Sequence, residues 1–224
     1  MLSIIVPVLN EARRLPELLT QLHKLRLVGW EVIVVDGGSE DQSMALCSGT
    51  VDRLISAPAG RAAQMNAGAR QASGSTLLFL HADTRLPNDV IDQLKAFEQS
   101  GAQWGFFPVR LRGDAWYYRM IEWCMNKRSA LTSIATGDQV QCVRTRMFAK
   151  EQGFKSLALM EDIDLSKRLK RRGEPYLFAS PVSCSVRKWQ NHGVVRTIVL
   201  MWRLRLAFFL GADSEKLRAS YYGD

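Results

Sequence analysis

Cysteine is scarce in this sequence and offers no pairing. Cys47, Cys124, Cys142 and Cys184 are the four among 224 residues; none forms a Cys-x-x-Cys pair and none sits beside a histidine at zinc-finger spacing. This argues against a disulfide framework or a structural zinc site and points to a reducing compartment. Long uncharged apolar runs are also missing, so no bilayer-spanning segment is expected. The apolar run 2–9 is too short for a signal peptide, lacks a basic leader and continues into Asn10-Glu11-Ala12-Arg13-Arg14; a cytoplasmic chain is expected. Internal repeats, low-complexity tracts and obvious linkers are absent. What is present is enough to build a core: 47% of residues are hydrophobic and 23% charged, which excludes disordered, collagen-like and coiled-coil classes. A mass of 25.3 kDa suits one domain, or one domain with a short appendage.

The net charge is +8, and its placement is uneven. Residues 1–143 carry 14 Lys/Arg and 14 Asp/Glu, whereas residues 144–224 carry 16 and 8. A basic end on a neutral body suits an anionic partner: phosphates, lipid headgroups or nucleic acid. A solvated basic face explains the same numbers equally well.

The first half alternates strand and helix signals. Residues 3–8 and 31–35 are continuous apolar runs expected as strands buried on both faces. Asn10 is positioned to cap a helix whose Leu15, Leu18, Leu22 and Leu25 fall on one stripe, and Ser39 to cap the next. A brief strand at 53–55, a helix at 61–72, a strand at 76–80 and a helix from Pro87 to about Gln99 follow. Such alternation implies a parallel sheet with helices on both faces. Ligands bind such sheets beyond the carboxyl ends of the strands, and three strands here end in polar segments: 7–11, 36–39 and 81–83. The second half reads less clearly. Strands are expected at 104–111, 139–143, 176–179 and 182–186, and helices at 116–125, 162–172 and 194–210.

Five segments carry candidate chemistry. The run Leu77-Leu78-Phe79-Leu80-His81-Ala82-Asp83 delivers a carboxylate to the ligand edge. A hard divalent ion uses one or two carboxylates and completes its shell with substrate phosphates and water; capping of the next turn is the structural alternative for Asp83. The turn Asp36-Gly37-Gly38-Ser39 allows close backbone approach, with Asp36 able to accept hydrogen bonds from a base or ribose. Gly60-Arg61 opens an alanine-rich helix where Arg61 can meet a phosphate. Glu161-Asp162-Ile163-Asp164 places three acids at a helix start, where the dipole stabilises each by typically ~0.3–1 kcal/mol; this suits either a general base or simple capping. Arg187-Lys188-Trp189 joins cations to an aromatic that can stack on a sugar or base, unless Trp189 is buried at a strand end.

In this order, the five segments resemble family 2 glycosyltransferases of the GT-A fold, over residues 3 to about 189. The pattern looks closest to a small bacterial branch with His-Ala-Asp-Thr and Gly-Asp-Gln segments. The resemblance implies an α/β nucleotide-diphospho-sugar transferase fold with a mostly parallel central sheet and helices on both faces. It implies nucleotide binding by Pro7, Asn10, Glu11, Asp36, Gly38, Arg61, Asn66 and His81, and a divalent metal (Mn2+ or Mg2+) at Asp83. Glu161-Asp162 match an acidic pair whose aspartate deprotonates the acceptor hydroxyl. Asp138, Gln139, Arg187 and Trp189 match acceptor or diphosphate contacts. The chain departs from the family at two points: the metal motif's first aspartate is His81, and the Gln-x-x-Arg-Trp clamp begins with Ser185 or Cys184. His192 is either a further metal or phosphate contact or an ordinary surface histidine.

The expected activity is inverting, metal-dependent transfer of a sugar from a nucleoside-diphosphate sugar to an unknown acceptor hydroxyl. The rival is a sugar-nucleotide-binding or membrane-peripheral protein without turnover. No nucleic-acid partner is expected, and a nicotinamide dehydrogenase is excluded because no Gly-x-Gly-x-x-Gly follows the first strand. The organisation expected is a catalytic domain over 1–190, split into a nucleotide-binding half (1–100) and an acceptor half (101–190), followed by a basic apolar helical extension over 191–224. Residues 194–210 set three arginines among apolar residues. This segment either lies on the inner face of an anionic membrane, or covers the core or a homodimer contact.

Overall fold

The computed structural model describes residues 1–222, apart from the side chains of Lys188, His192 and Tyr222; the expectation at His192 therefore falls outside the described side chains. The parallel part of the fold follows from its apolar runs. β1 (Leu2–Val8) and β2 (Glu31–Asp36) are almost wholly buried, as strands covered on both faces must be. They pair in parallel with Val8 opposite Asp36. β3 (Arg53–Ser56) adds to β2, and β4 (Thr76–Phe79) pairs with the other side of β1. Two antiparallel joins extend the sheet through β7 (Gln141–Arg144) and β5 (Trp104–Phe106), and β8 (Tyr176–Leu177) closes it. The seven strands run in the order β3-β2-β1-β4-β7-β5-β8.

Alternation along the strands divides the core into two layers. Leu2, Ile4, Val6 and Val8, with Val32, Val34, Leu78 and Leu80, face one layer. α1 (Leu15–Leu27) and α4 (Val90–Gln99) close that layer, aided by the longer α5 (Trp116–Thr132). Ile5, Ile33, Val35, Leu77 and Phe79 face the other, under α3 (Arg61–Gln71), α6 (Thr145–Lys150) and α7 (Glu161–Leu169). Gly68 lets α3 approach the sheet closely, since a Cβ there would sit 2.5 Å from Ile5. The chain steps from β1 to β2 to β3, then returns through α3 to the far side of β1. That reversal is a topological switch point, and in such sheets a crevice opens there. The last β1–β4 pair is Ile5 with Phe79, so Pro7 and Val8 keep only β2 beside them and β4 turns away at His81.

Several local expectations need correction. Asn10 does not cap α1; Arg14 holds that position, and Asn10 sits in the left-handed region (φ 55) in a loop. Ser39 does not cap α2 (Ser43–Cys47); Gln42 does. The strand expected at 104–111 is two strands, because Pro108 cannot donate to a ladder. β6 (Val109–Leu111) leaves the main sheet and pairs with β9 (Val182–Cys184). Residues 187–192 form the short helix α8 (Arg187–His192) rather than the end of a strand. α9 (Val194–Phe209) and α10 (Ser214–Tyr222) complete the chain. Leu204 of α9 and Leu217 of α10 pack with Ile134, Leu159, Met160 and Ile163, so the extension docks on the start of α7.

Candidate active site

Two loops meet at the open ends of β1 and β2. Asp36 is 4% exposed; its Oδ2 accepts the Gly38 and Ser39 amides at 2.8 and 3.0 Å. Its Oδ1 is buried without a partner. Native structures rarely leave such an atom unsatisfied unless a ligand or water completes it. The loop after β1 is zipped to the loop after β2: Asn10 N–H donates to Ser39 Oγ at 2.9 Å, and Asn10 Oδ1 accepts from Glu40 N–H at 2.9 Å. Glu11 N–H donates to Ser43 Oγ at 2.9 Å, while the Glu11 carboxylate pairs with Arg14. Asn10 and Glu11 thus hold the two loops together through their own contacts. Gln64, which the sequence reading missed, donates through Nε2 to Val8 O and Val35 O, both at 2.8 Å. It was the one polar side chain on the buried stripe of an alanine-rich helix. Asn66 is engaged elsewhere, since both ends of its amide bond Phe154 (2.7 and 2.9 Å) and tie α3 to the loop ahead of α7.

The second cluster forms where β4 ends. His81 is buried and packs against Gly137, where any Cβ would lie 2.3 Å from the ring. Its Nδ1 is 3.9 Å from Asp138 Oδ1. Burial, aided by the Arg61 charge and opposed by Asp83, lowers its pKa to about 4, so the imidazole is neutral at neutral pH. Asp83 is half-buried, and Arg112 Nη2 donates to its backbone carbonyl at 2.9 Å. Among the described residues its carboxylate makes no hydrogen bond or ion pair. Cys184 Sγ lies 3.1 Å from Asp138 O, and both Asp83 and Asp138 act on that thiol, whose pKa burial raises.

Among the described residues no three His, Cys, Asp or Glu side chains form a ready metal cage. An unengaged carboxylate at Asp83, with Asp138 across His81, fits instead an ion that takes one or two protein carboxylates and fills its shell with diphosphate and water.

The acidic pair completes the cluster. Gly137 N–H and Ile163 N–H donate to the two carboxylate oxygens of Asp162. Asp162 is not the α7 cap; Met160 holds that position in the left-handed region. Glu161, 4% exposed, is pushed up to about 7 by burial first and the Asp162 charge second, with Arg61 opposing. The Asp83 and Asp162 segments are therefore linked through His81, which packs on Gly137, and the Gly137 amide, which donates to Asp162. Gln139 supports this loop from below: its Oε1 accepts from Ser129 Oγ (2.7 Å) and Thr136 N–H (3.1 Å), and its Nε2 is buried without a partner. Gln139 also lines a cavity of about 300 Å3 with Phe106, Trp123, Asn126 and Phe178. Arg187 is exposed at the start of α8, and Trp189, within that helix, is half-buried against the first core layer.

Comparison with known proteins is consistent with this geometry. The structure is similar to crystal structures of S. aureus TarS (residues 1–349 with UDP-GlcNAc; TM-score 0.64, 19% identity, covering 82% of this chain and 58% of that one). It is also similar to the mannosyltransferase PcManGT of Pyrobaculum calidifontis in complex with GDP-Man and Mn2+ (TM-score 0.63, 19% identity, 92% and 60%). The architecture is thus that of the GT-A glycosyltransferases. The family model for glycosyl transferase family 2 matches residues 3–155, and the chain belongs to that family. A curated relative, the undecaprenyl-phosphate 4-deoxy-4-formamido-L-arabinose transferase of Pectobacterium atrosepticum, is 32% identical over 110 residues (44% of this chain, 34% of the relative). The Enterobacter protein of that name is 27% identical over 148 residues (61% and 45%). The chain spans between a third and a half of these relatives.

Proposed function

We propose that this protein is an inverting glycosyltransferase that moves a sugar from a nucleoside-diphosphate sugar to an acceptor hydroxyl. The observation that carries the reading is the contact chain from the segment of the unengaged Asp83 carboxylate through His81 and Gly137 to Asp162. Asp36, through its unpartnered Oδ1, accepts a hydrogen bond from the nucleoside, and the Pro7–Gly38 edge forms the walls of its pocket. Asp83, with Asp138 near it, would hold a divalent cation. Bound there, such an ion offsets the charge gathering on the leaving group. Arg61 adds positive potential between the two carboxylates, as His81 and Glu161 both sense its charge.

Asp162 takes the acceptor proton as the acceptor oxygen bonds to the anomeric carbon from the face opposite the leaving diphosphate. The bond to the diphosphate oxygen breaks, and its electron pair leaves with the diphosphate. Nucleotide-sugar and Mn2+ complexes of the structural neighbours named above favour this donor and metal. The bonds Asn66 makes to Phe154 favour a positioning role for it. Residues 191–224 act in this reading as an extension to a catalytic domain over 1–190. Among the described residues no helix is long and apolar enough to cross a membrane. However, α9 exposes Val195, Val199, Trp202, Leu206 and Phe209 beside Arg196 and Arg203, which favours peripheral contact with an anionic membrane over a homodimer.

A thermal-shift screen of nucleoside diphosphates, with and without Mn2+, tests the donor half, because a ligand of the folded state raises the melting temperature. The expected result is a nucleoside-selective rise that grows with Mn2+ and loses its metal component in Asp83→Asn. No rise with any nucleoside diphosphate would overturn the reading. Binding without donor hydrolysis or transfer would leave a sugar-nucleotide-binding protein.

A further inference from the structure

Five buried side-chain atoms lack partners among the described residues, and four belong to one neighbourhood: Arg128 Nε, Thr136 Oγ1, Gln139 Nε2 and Gln141 Oε1. Arg128, on α5, is half-buried, and its one hydrogen bond runs from Nη2 to Ser129 Oγ at 3.0 Å. Ser129 in turn bonds Gln139 (2.7 Å) in the loop whose Gly137 holds Asp162. A second half-buried arginine approaches from the other side. Leu204 of α9 is locked against Met160 and Ile163, the residues that bracket the acidic pair, and Arg205 is next to it in sequence. Among the described residues neither guanidinium has an ion-pair partner.

Arg128 senses the charges of Arg205 and Asp162, and Arg205 senses that of Asp162. Burial and the Arg205 charge lower the Arg128 pKa to about 10, so both remain charged at neutral pH. Two like charges close together and half desolvated are unfavourable, and the single Asp162 carboxylate offsets only one of them. Arg61 belongs to a different group, since it acts on His81 and Glu161.

We propose that Arg128 and Arg205 form an anion subsite beside Asp162 that seats a phosphoryl group carried by the acceptor. This rests on the assignment of Asp162 as the acceptor's base. Guanidinium forks match phosphate oxygens in a bidentate fashion, and a phosphoryl group supplies the missing acceptor for Arg128 Nε. Such a group can be a lipid headgroup, given the apolar outer face of α9, or part of a soluble phosphomonoester. An extension that supplies Arg205 is thereby part of acceptor recognition.

The test uses the full chain saturated with its best nucleoside diphosphate and Mn2+, so that the donor end is filled. Inorganic phosphate and glycerol 3-phosphate are titrated by calorimetry into wild type, Arg205→Gln, Arg205→Lys and Arg128→Gln, each first checked by thermal melt. The expected result is a saturable site that Arg205→Gln weakens about ten- to a hundredfold, that Arg205→Lys weakens less, and that nucleoside diphosphate does not compete away. Should Arg128→Gln fail to fold, the Arg205 pair alone decides. Vesicles of phosphatidic acid and of phosphatidylcholine separate the sources: Arg205-dependent retention on the former identifies a lipid headgroup, and binding of glycerol 3-phosphate alone identifies a soluble acceptor. Phosphate affinity unchanged in both Gln variants, or phosphate displaced by nucleoside diphosphate, overturns the subsite. If no nucleoside diphosphate binds but phosphate binding still depends on Arg205, the transfer reading fails and the subsite stands.

Discussion

The β3-β2-β1-β4 half and the half that follows it build the crevice in different ways. In the first, β1, β2 and β4 are buried apolar runs that end in polar turns, so Asp36 and Asp83 arrive at the ligand edge by strand geometry. In the second, strands are two to four residues long and antiparallel joins reverse the chain. Asp162 is placed by contacts instead: the Gly137 amide, the Gln139 props and a helix docked from the far end of the chain. The donor side is thus set by local pattern and the acceptor side by long-range packing. Side chains on the acceptor side should accordingly couple to stability more than those on the donor side.

The largest expected effect that sharpens this contrast is at Asp162. Asp162→Asn should lower transfer by ~10²–10⁴-fold, the usual contribution of a general base, while nucleoside-diphosphate binding in the thermal-shift assay stays at the wild-type level. Loss of both would join the two sides that the contrast separates. Next comes the docking of α9. Leu204 is 4% exposed, whereas Trp202 is 76% exposed. Leu204→Ala should cost ~2–5 kcal/mol in denaturant unfolding, and Trp202→Ala should stay within ~0.5 kcal/mol. Equal effects would mean that the extension does not brace the acceptor side.

The smallest effect concerns Glu161. Its raised pKa means that the fold disfavours the charged form. Stability is then fully present below the ordinary value of 4.5 and falls as pH rises toward about 7. Glu161→Gln should remove that loss, so its melting temperature should gain on wild type between pH 5 and pH 8. A constant difference across that range would show that Glu161 is charged in the fold throughout.

Some of the site was legible because few arrangements satisfy the residues concerned. A carboxylate at the end of a fully apolar strand must find solvent, a cation or a ligand, which made Asp83 conspicuous; the Asp36 turn was conspicuous for the same reason. The caps were misjudged because Asn10 and Ser39 meet each other across two loops, a partnership 29 residues apart in sequence that local capping rules do not consider. The break at Pro108 was visible as a residue, yet its outcome depended on β9 being available as a new partner. Gln64 and Arg128 went unnoticed, and Arg205 counted only as one of three arginines on an apolar helix, because a polar residue on a helix face is informative only once the opposite surface is known.

Composition and periodicity alone determined a parallel α/β sheet, the two apolar layers on its faces and the strand ends that carry Asp36 and Asp83. These depend on burial of side chains at fixed spacing, which sequence records directly. Only the tertiary structure decided that Gly137 seats His81 and holds Asp162, that Asn66 bonds the loop ahead of α7, and that α9 returns Arg205 to the start of α7. Each of these is a contact between distant segments, and its partner exists only after the core has packed.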